Sequence, residues 1–90
     1  SGATIMAAWY IYILRCADRS LYTGVATDLA ARLAKHNAGK AAKYTRGRLP
    51  VQLVYQESAR GRSRALKREH TIKRLSRAAK LRLIDGLPLE

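Results

Sequence analysis

Residues 10 to 14, Tyr-Ile-Tyr-Ile-Leu, leave no polar face for water. Tyr10, Tyr12 and Leu14 project one way from a strand here and Ile11 and Ile13 the other, so the strand has to be covered on both sides and belongs in the middle of a sheet. After a polar turn at Ala17-Asp18-Arg19-Ser20, Leu21-Tyr22-Thr23-Gly24-Val25 reads as a second strand at hairpin spacing. A hairpin puts Tyr12 and Tyr22 near each other on one face. Gly24 reads as a plain strand end, or as a place where the chain bends or lets another backbone or a phosphate come close.

The next segment changes period. Thr27 is a good N-cap, Asp28 suits a first helical turn, and Gly39 stops a helix after Asn37-Ala38, which predicts a helix over about 28–37. On a 3.6-residue wheel Leu29, Leu33 and His36 share an arc with Ala30 beside them, while Ala31 and Lys35 face away. Arg32 borders the arc one turn before His36. With the two tyrosines, this pair makes a cluster able to handle a phosphate.

Residues 39–50, GKAAKYTRGRLP, carry Lys40, Lys43, Arg46 and Arg48 with no acid. They read as a loop, either merely solvated or, with Tyr44 offering an aromatic face among the cations, a nucleic-acid contact. A third strand follows over 51–57, with Val51, Leu53 and Tyr55 on one side and Tyr55 half-buried. Beyond a polar connection at 58–62, Ser63 is expected to cap a helix over 64–75 and Ser76 a second one to Ile84, with Gly86 and Pro88 ending it.

A single domain of 90 residues buries only about 60–65% of its unfolded surface, so its core is thin. Against that small body stands a formal charge of +12, from 18 Lys and Arg and 6 Asp and Glu. Such an excess calls for a polyanionic partner, nucleic acid first. A membrane is the weaker candidate, because no run approaches the ~18 apolar residues of a span and no segment pairs a long apolar face with a basic one. Cys16 is the lone cysteine, which excludes a disulfide framework and a cysteine-based zinc site and suits a cytoplasmic setting. Residues 1–8 are set aside as an expression scar and unstructured N-terminus, 9–85 form the expected domain, and 86–90 a tail.

Between Arg60 and Arg82 ten Lys or Arg accompany one acid, Glu69. On the wheel Glu69 falls inside the apolar stripe of Ala65, Ile72 and Leu75. A carboxylate there needs a partner. Either it pairs with Arg32 or another arginine at the core edge, or it is a metal ligand, since Mg²⁺ takes one or two carboxylates and fills its remaining positions with water and substrate phosphate. His70 lies about 100° round the helix and reads as surface.

Taken in order, these residues resemble the GIY-YIG nuclease superfamily. Its first motif corresponds to Tyr10-Ile11-Tyr12 and its second to Tyr22-Thr23-Gly24. The family arginine, ten residues past the second tyrosine, matches Arg32, the His or Tyr one turn later matches His36, and the metal-binding glutamate matches Glu69. The single-domain bacterial YhbQ-like members are also similar in length and in AKYTRGRLPVQLVYQE, residues 42–57. Two positions depart from the pattern: Tyr10 replaces the first glycine, and Val25 stands where some repair nucleases have a lysine.

The resemblance implies an α/β fold, a small three-stranded antiparallel sheet flanked by helices in the order β-β-α-β-α-α. The residues read on their own give the same order. It further implies a divalent-metal-dependent endonuclease acting on DNA, structure-selective or working in repair or recombination, with RNA and a targeting protein partner left open. Glu69 would hold Mg²⁺ or Mn²⁺, Arg32 and His36 would stabilise the pentacovalent phosphate, Tyr22 would activate water, and Tyr12 would position it. Lys40, Lys43, Tyr44, Arg46 and Arg48 are the expected nucleic-acid contacts. The rival expectation is a binding module that keeps this shape with little or no activity.

Overall fold

A computed structural model describes residues 8–88. The elements are β1 (Trp9–Arg15), β2 (Leu21–Ala26), α1 (Leu29–Asn37), α2 (Lys43–Arg46), β3 (Gln52–Ala59), α3 (Arg62–Lys73) and α4 (Arg77–Ile84). All strand pairs are antiparallel, in the order β2-β1-β3. The central place of β1 follows from its two apolar faces: Ile11, Tyr12, Ile13 and Leu14 are all at most 2% exposed. The architecture is the expected α/β sheet flanked by helices, with the short α2 added. The scar expected at Ser1-Gly2 and the end of the tail lie outside the described residues.

Each face of the sheet has its own half of the core. On one, Tyr12, Leu14, Cys16, Ala26 and Val51 pack with Leu29 and Leu33 of α1. On the other, Ile11 and Ile13 meet Ala65 and Ile72 of α3 and Leu83 and Ile84 of α4. Among the described residues no helix is long and apolar enough to cross a membrane.

Several local expectations are corrected. Asp28, not Thr27, caps α1: its carboxylate accepts the Ala31 N–H at 3.0 Å. The reason is that β2 runs on through Ala26, which pairs with Tyr10, so Thr27 is still crossing from sheet to helix. Within the predicted loop, residues 43–46 close one helical turn, tied by Thr45 Oγ1 donating to the Ala42 carbonyl at 3.1 Å.

The third strand is longer than its sequence suggests and does not alternate cleanly. Ile13 faces Tyr55 while Leu14 faces Leu53, so Val54 is an extra residue, and the bulge turns Leu53 and Tyr55 to opposite faces. Pairing continues through Ser58 and Ala59. The chain then turns at Gly61, whose φ of 88° favours glycine, and α3 starts there without the side-chain cap expected from Ser63. Ser76 does cap α4, accepting the Ala79 N–H at 3.1 Å.

Gly24 is a site of close approach, to the ring of Tyr12. It pairs with Tyr12, and a β-carbon on it would lie 2.5 Å from the Tyr12 hydroxyl oxygen and 2.7 Å from the adjoining ring carbon. The tyrosine, 2% exposed, has nowhere to move. Gly24→Ala is therefore expected to cost about 1–3 kcal/mol as overpacking, seen as a lower urea midpoint with an unchanged m-value; an unshifted midpoint would mean that the ring is not confined.

Candidate active site

The hairpin and α1 bring three rings together. Tyr12 and Tyr22 lie 6.4 Å apart between centroids, His36 is 5.8 Å from the first and 5.3 Å from the second, and both histidine contacts are edge-on. Period-2 spacing sends Tyr12, and Tyr22 through its partner Leu14, to the α1 side of the sheet. The helical period then places His36 one turn beyond Leu33, where it is 1% exposed.

A buried imidazole must have both nitrogens satisfied. Tyr12 Oη lies 2.9 Å from Nε2 of His36, and Thr45 Oγ1 lies 2.9 Å from Nδ1. The direction of these bonds follows from Thr45. Its one hydroxyl proton goes to the Ala42 carbonyl, so its oxygen accepts from Nδ1–H, which leaves the Nε2 lone pair to accept from Tyr12. The result is a one-way chain from Tyr12 through His36 and Thr45 to the backbone.

Electrostatics favour the same protonation states. Burial, helped by the positive charge of Arg32, lowers the pKa of His36 and keeps the ring neutral. Burial also pushes Tyr12 up to about 12, with the neighbouring Tyr22 adding to the rise, Arg32 opposing it, and Glu69 contributing least. Tyr12 is thus a proton donor at neutral pH.

Glu69 stands on α3 between the buried Ala65 and Ile72, with 17% of its side chain exposed. The arginine pair expected for it does not form. Its partner is Lys73, one turn along the helix at 3.3 Å and 52% exposed. An ion pair with so exposed a lysine contributes only about 0–1 kcal/mol, so a competing cation displaces it readily. Among the described residues no three His, Cys, Asp or Glu side chains converge on one point. A single carboxylate that keeps 17% of its side chain exposed suits Mg²⁺, which keeps most of its waters and takes substrate phosphate, and does not suit a closed zinc or calcium cage. His70 is exposed on another side of α3.

The basic loop divides into two parts. Lys40, Lys43 and Arg46 surround a shallow cavity of about 180 Å³ and are exposed. Arg48 turns inward: its guanidinium lies 4.0 Å over the Tyr44 ring and donates to Asp18 Oδ2 at 2.9 Å and to the Tyr44 carbonyl at 2.8 Å. Tyr44, clamped in this way, stacks on Tyr22 with a centroid separation of 6.0 Å. Reading by sequence missed Thr45, whose type and position carry no signal before the loop is folded, and Lys73, which its i,i+4 spacing from Glu69 makes legible.

Two measurements check the chain of hydrogen bonds. Thr45→Val leaves the buried Nδ1–H without an acceptor and is expected to cost about 1–3 kcal/mol. Because the folded pKa of His36 lies below its ordinary value of about 6.5, the unfolded chain takes up the proton first as pH falls. The stability present above that value is then lost on the way down to the folded pKa. The melting temperature should fall from pH 7 towards pH 5 in the parent and lose this slope in His36→Gln; a flat parent profile would contradict a neutral, buried imidazole.

A family model described as the GIY-YIG catalytic domain matches residues 8–82. A UPF0213 protein of Staphylococcus haemolyticus is 55% identical over 80 residues, covering 89% of this chain and 98% of that protein. One of Natronomonas pharaonis is 56% identical over 75 residues, covering 83% and 88%. Among solved structures, the solution NMR structure of a UPF0213 protein from Bacillus halodurans is 45% identical with a TM-score of 0.56, covering 87% of this chain and 83% of that one. A protein from E. faecalis, also solved by solution NMR, is 38% identical with a TM-score of 0.61, covering 88% and 84%. With the family model spanning most of the chain and relatives more than half identical over nearly all of it, this chain belongs to the GIY-YIG family of nuclease-type domains, among its single-domain UPF0213 members.

Proposed function

We propose that the chain is a divalent-metal-dependent endonuclease that hydrolyses phosphodiester bonds in DNA. The observation that carries this reading is the Tyr12–His36–Thr45 chain beside Tyr22. The chain fixes Tyr12 and His36 in place with their protons directed inward, and leaves the Tyr12 oxygen as an acceptor. The lone buried Cys16 fits work in the cytoplasm.

In this reading the exposed Arg32 binds the scissile phosphate and balances the charge that grows on it as the pentacovalent state forms. His36 has both ring nitrogens engaged, so it holds Tyr12 in place and does not contact the phosphate directly. Tyr22, half-buried where Tyr12 is fully buried, is in reach of solvent and holds the attacking water. Mg²⁺ or Mn²⁺, held by Glu69 with water and substrate phosphate, would supply polarisation of a phosphate oxygen and stabilise the leaving oxygen. Lys40, Lys43 and Arg46 meet neighbouring phosphates, which makes binding insensitive to sequence.

The 2.9 Å contact between Tyr12 and His36 favours a second reading of the proton's path. Here Tyr12 takes the proton from water while passing its own to Nε2, and Tyr22 only positions the water.

Incubation with single-stranded, duplex and branched DNA, with Mg²⁺, Mn²⁺ or EDTA, tests the activity by strand scission. If Tyr22 holds the base role, Tyr22→Phe lowers the cleavage rate by about 10²–10⁴-fold and Tyr12→Phe does less; the reverse order selects the second reading. Glu69→Gln is expected to abolish scission while its stability shifts by no more than about 1 kcal/mol, since only an exposed ion pair is lost. Its DNA binding in EDTA should be equal to the parent's or tighter. A folded Glu69→Gln protein cutting at the parental rate would remove Glu69 from the site.

Binding itself is expected to weaken with salt, log K falling with log salt at a slope of about −3 to −4.5 for three to five phosphate contacts. A slope near zero would argue against nucleic acid altogether.

A further inference from the structure

A groove of about 250 Å³ lies at the outer edge of β2, where Tyr22 lines it from the sheet, Lys73 from α3 and Lys80 from α4. No acid lines it among the described residues. The two lysines have no place in the reaction described above, and they differ in how they are held. Lys80 forms no ion pair among the described residues, whereas Lys73 lies 3.3 Å from Glu69. One lysine therefore belongs to two places at once: it lines the groove beside Tyr22, and it occupies the carboxylate to which the metal is assigned above.

We infer that this groove is a phosphate subsite for the substrate strand, held by Lys80 at all times and by Lys73 once a divalent cation has taken Glu69 from it. The inference rests on the nucleic-acid and metal readings above and deepens them, adding two residues and a link between the two ligands. Two ammonium groups around an acid-free groove complement an anion, and lysine holds a phosphate as a point charge, without demanding one orientation. Tyr22 shares the groove, so a phosphate seated there is a neighbour, on the same strand, of the one being cut. While Lys73 is paired with Glu69 it gives the groove only part of its charge. A cation on Glu69 both breaks that pair and repels the ammonium, and the groove is the acid-free space that Lys73 already borders. Metal and strand then strengthen each other's binding, and the coupling is the same in both directions. Its size is set by the pair that must be given up, which for so exposed a lysine allows up to roughly 5-fold.

The main test needs neither metal nor scission, because Glu69→Gln releases Lys73 as a bound cation would. Fluorescence anisotropy in EDTA measures the affinity for a short DNA strand at about 0.1 M salt, where one phosphate contact carries a factor of about 8. Lys67→Gln takes the same charge from the exposed outer face of α3 and gives the cost of net charge alone. Against that control, Lys80→Gln is expected to weaken binding by up to about 8-fold in the parent and in Glu69→Gln alike. Lys73→Gln should cost no more than the control in the parent and roughly 2- to 5-fold more in Glu69→Gln. An equal cost of Lys73→Gln in both backgrounds would overturn the control by Glu69. A Lys80→Gln protein that binds like the control would overturn the subsite and leave the nuclease reading standing, while a parent that binds no DNA would overturn both. The link to metal is read by NMR on the DNA-free protein: Mg²⁺ should move the ε-methylene signal of Lys73 towards its position in Glu69→Gln and leave that of Lys80 in place. A Lys73 signal that stays put would remove the metal as the releasing ion.

Discussion

Tyr12 has two obligations that pull against each other, and the fold is arranged so that both are met. Its ring fills the core on the α1 side of the sheet, at 2% exposure, while its hydroxyl needs a partner in that dry place. His36 is the partner, and it commits α1 to a fixed rotation and height over the sheet. Gly24 leaves the ring room to lie against the neighbouring strand. Thr45 in turn commits the segment after α1 to one helical turn, because only there does its hydroxyl both reach the imidazole and give its proton away. Core packing and proton placement are one problem with one solution in this domain.

The other layer is held by charge. Arg68 of α3 donates to both carboxylate oxygens of Glu57 on β3, at 2.8 and 3.2 Å, and Tyr55 donates to the same carboxylate. Neighbouring residues on a helix point about 100° apart, so fixing Arg68 on β3 also sets the direction of Glu69. In a chain of net charge +12 an acid on a basic helix would find many cations to fold onto. On the anchored helix it pairs with Lys73, whose side chain is 52% exposed.

How much of this could be read from the residues depends on the range of the interaction involved. The central strand, the hairpin, the shared face of Tyr12 and Tyr22, the inward turn of His36 and the Ser76 cap all follow from periods of 2 and 3.6 or from a side chain reaching its own backbone three residues on. The bulge at Val54 does not, because it is set by where Ile13 and Leu14 find their partners. Nor does the turn at Gly61, which lies where the extended β3 happens to end. Thr45 was illegible for the same reason, since its role exists only once α1 has placed a histidine above it. Glu69 was legible as an anomaly in an apolar stripe, while of the alternatives open to it the arginine pair does not form and the local lysine one turn along takes that place.

The inward turn of Arg48 ties the hairpin turn to the loop after α1. Its guanidinium holds Asp18 and Tyr44, and its carbonyl accepts the Ala17 N–H at 2.9 Å. These bonds make residues 17–20 and 43–48 a single cooperative unit whose members open and close together. An opening large enough to free Tyr44 would also release Thr45, and with it the acceptor that fixes the tautomer of His36. Packing at the rim and the hydrogen bonding of the central histidine therefore depend on the same short segment.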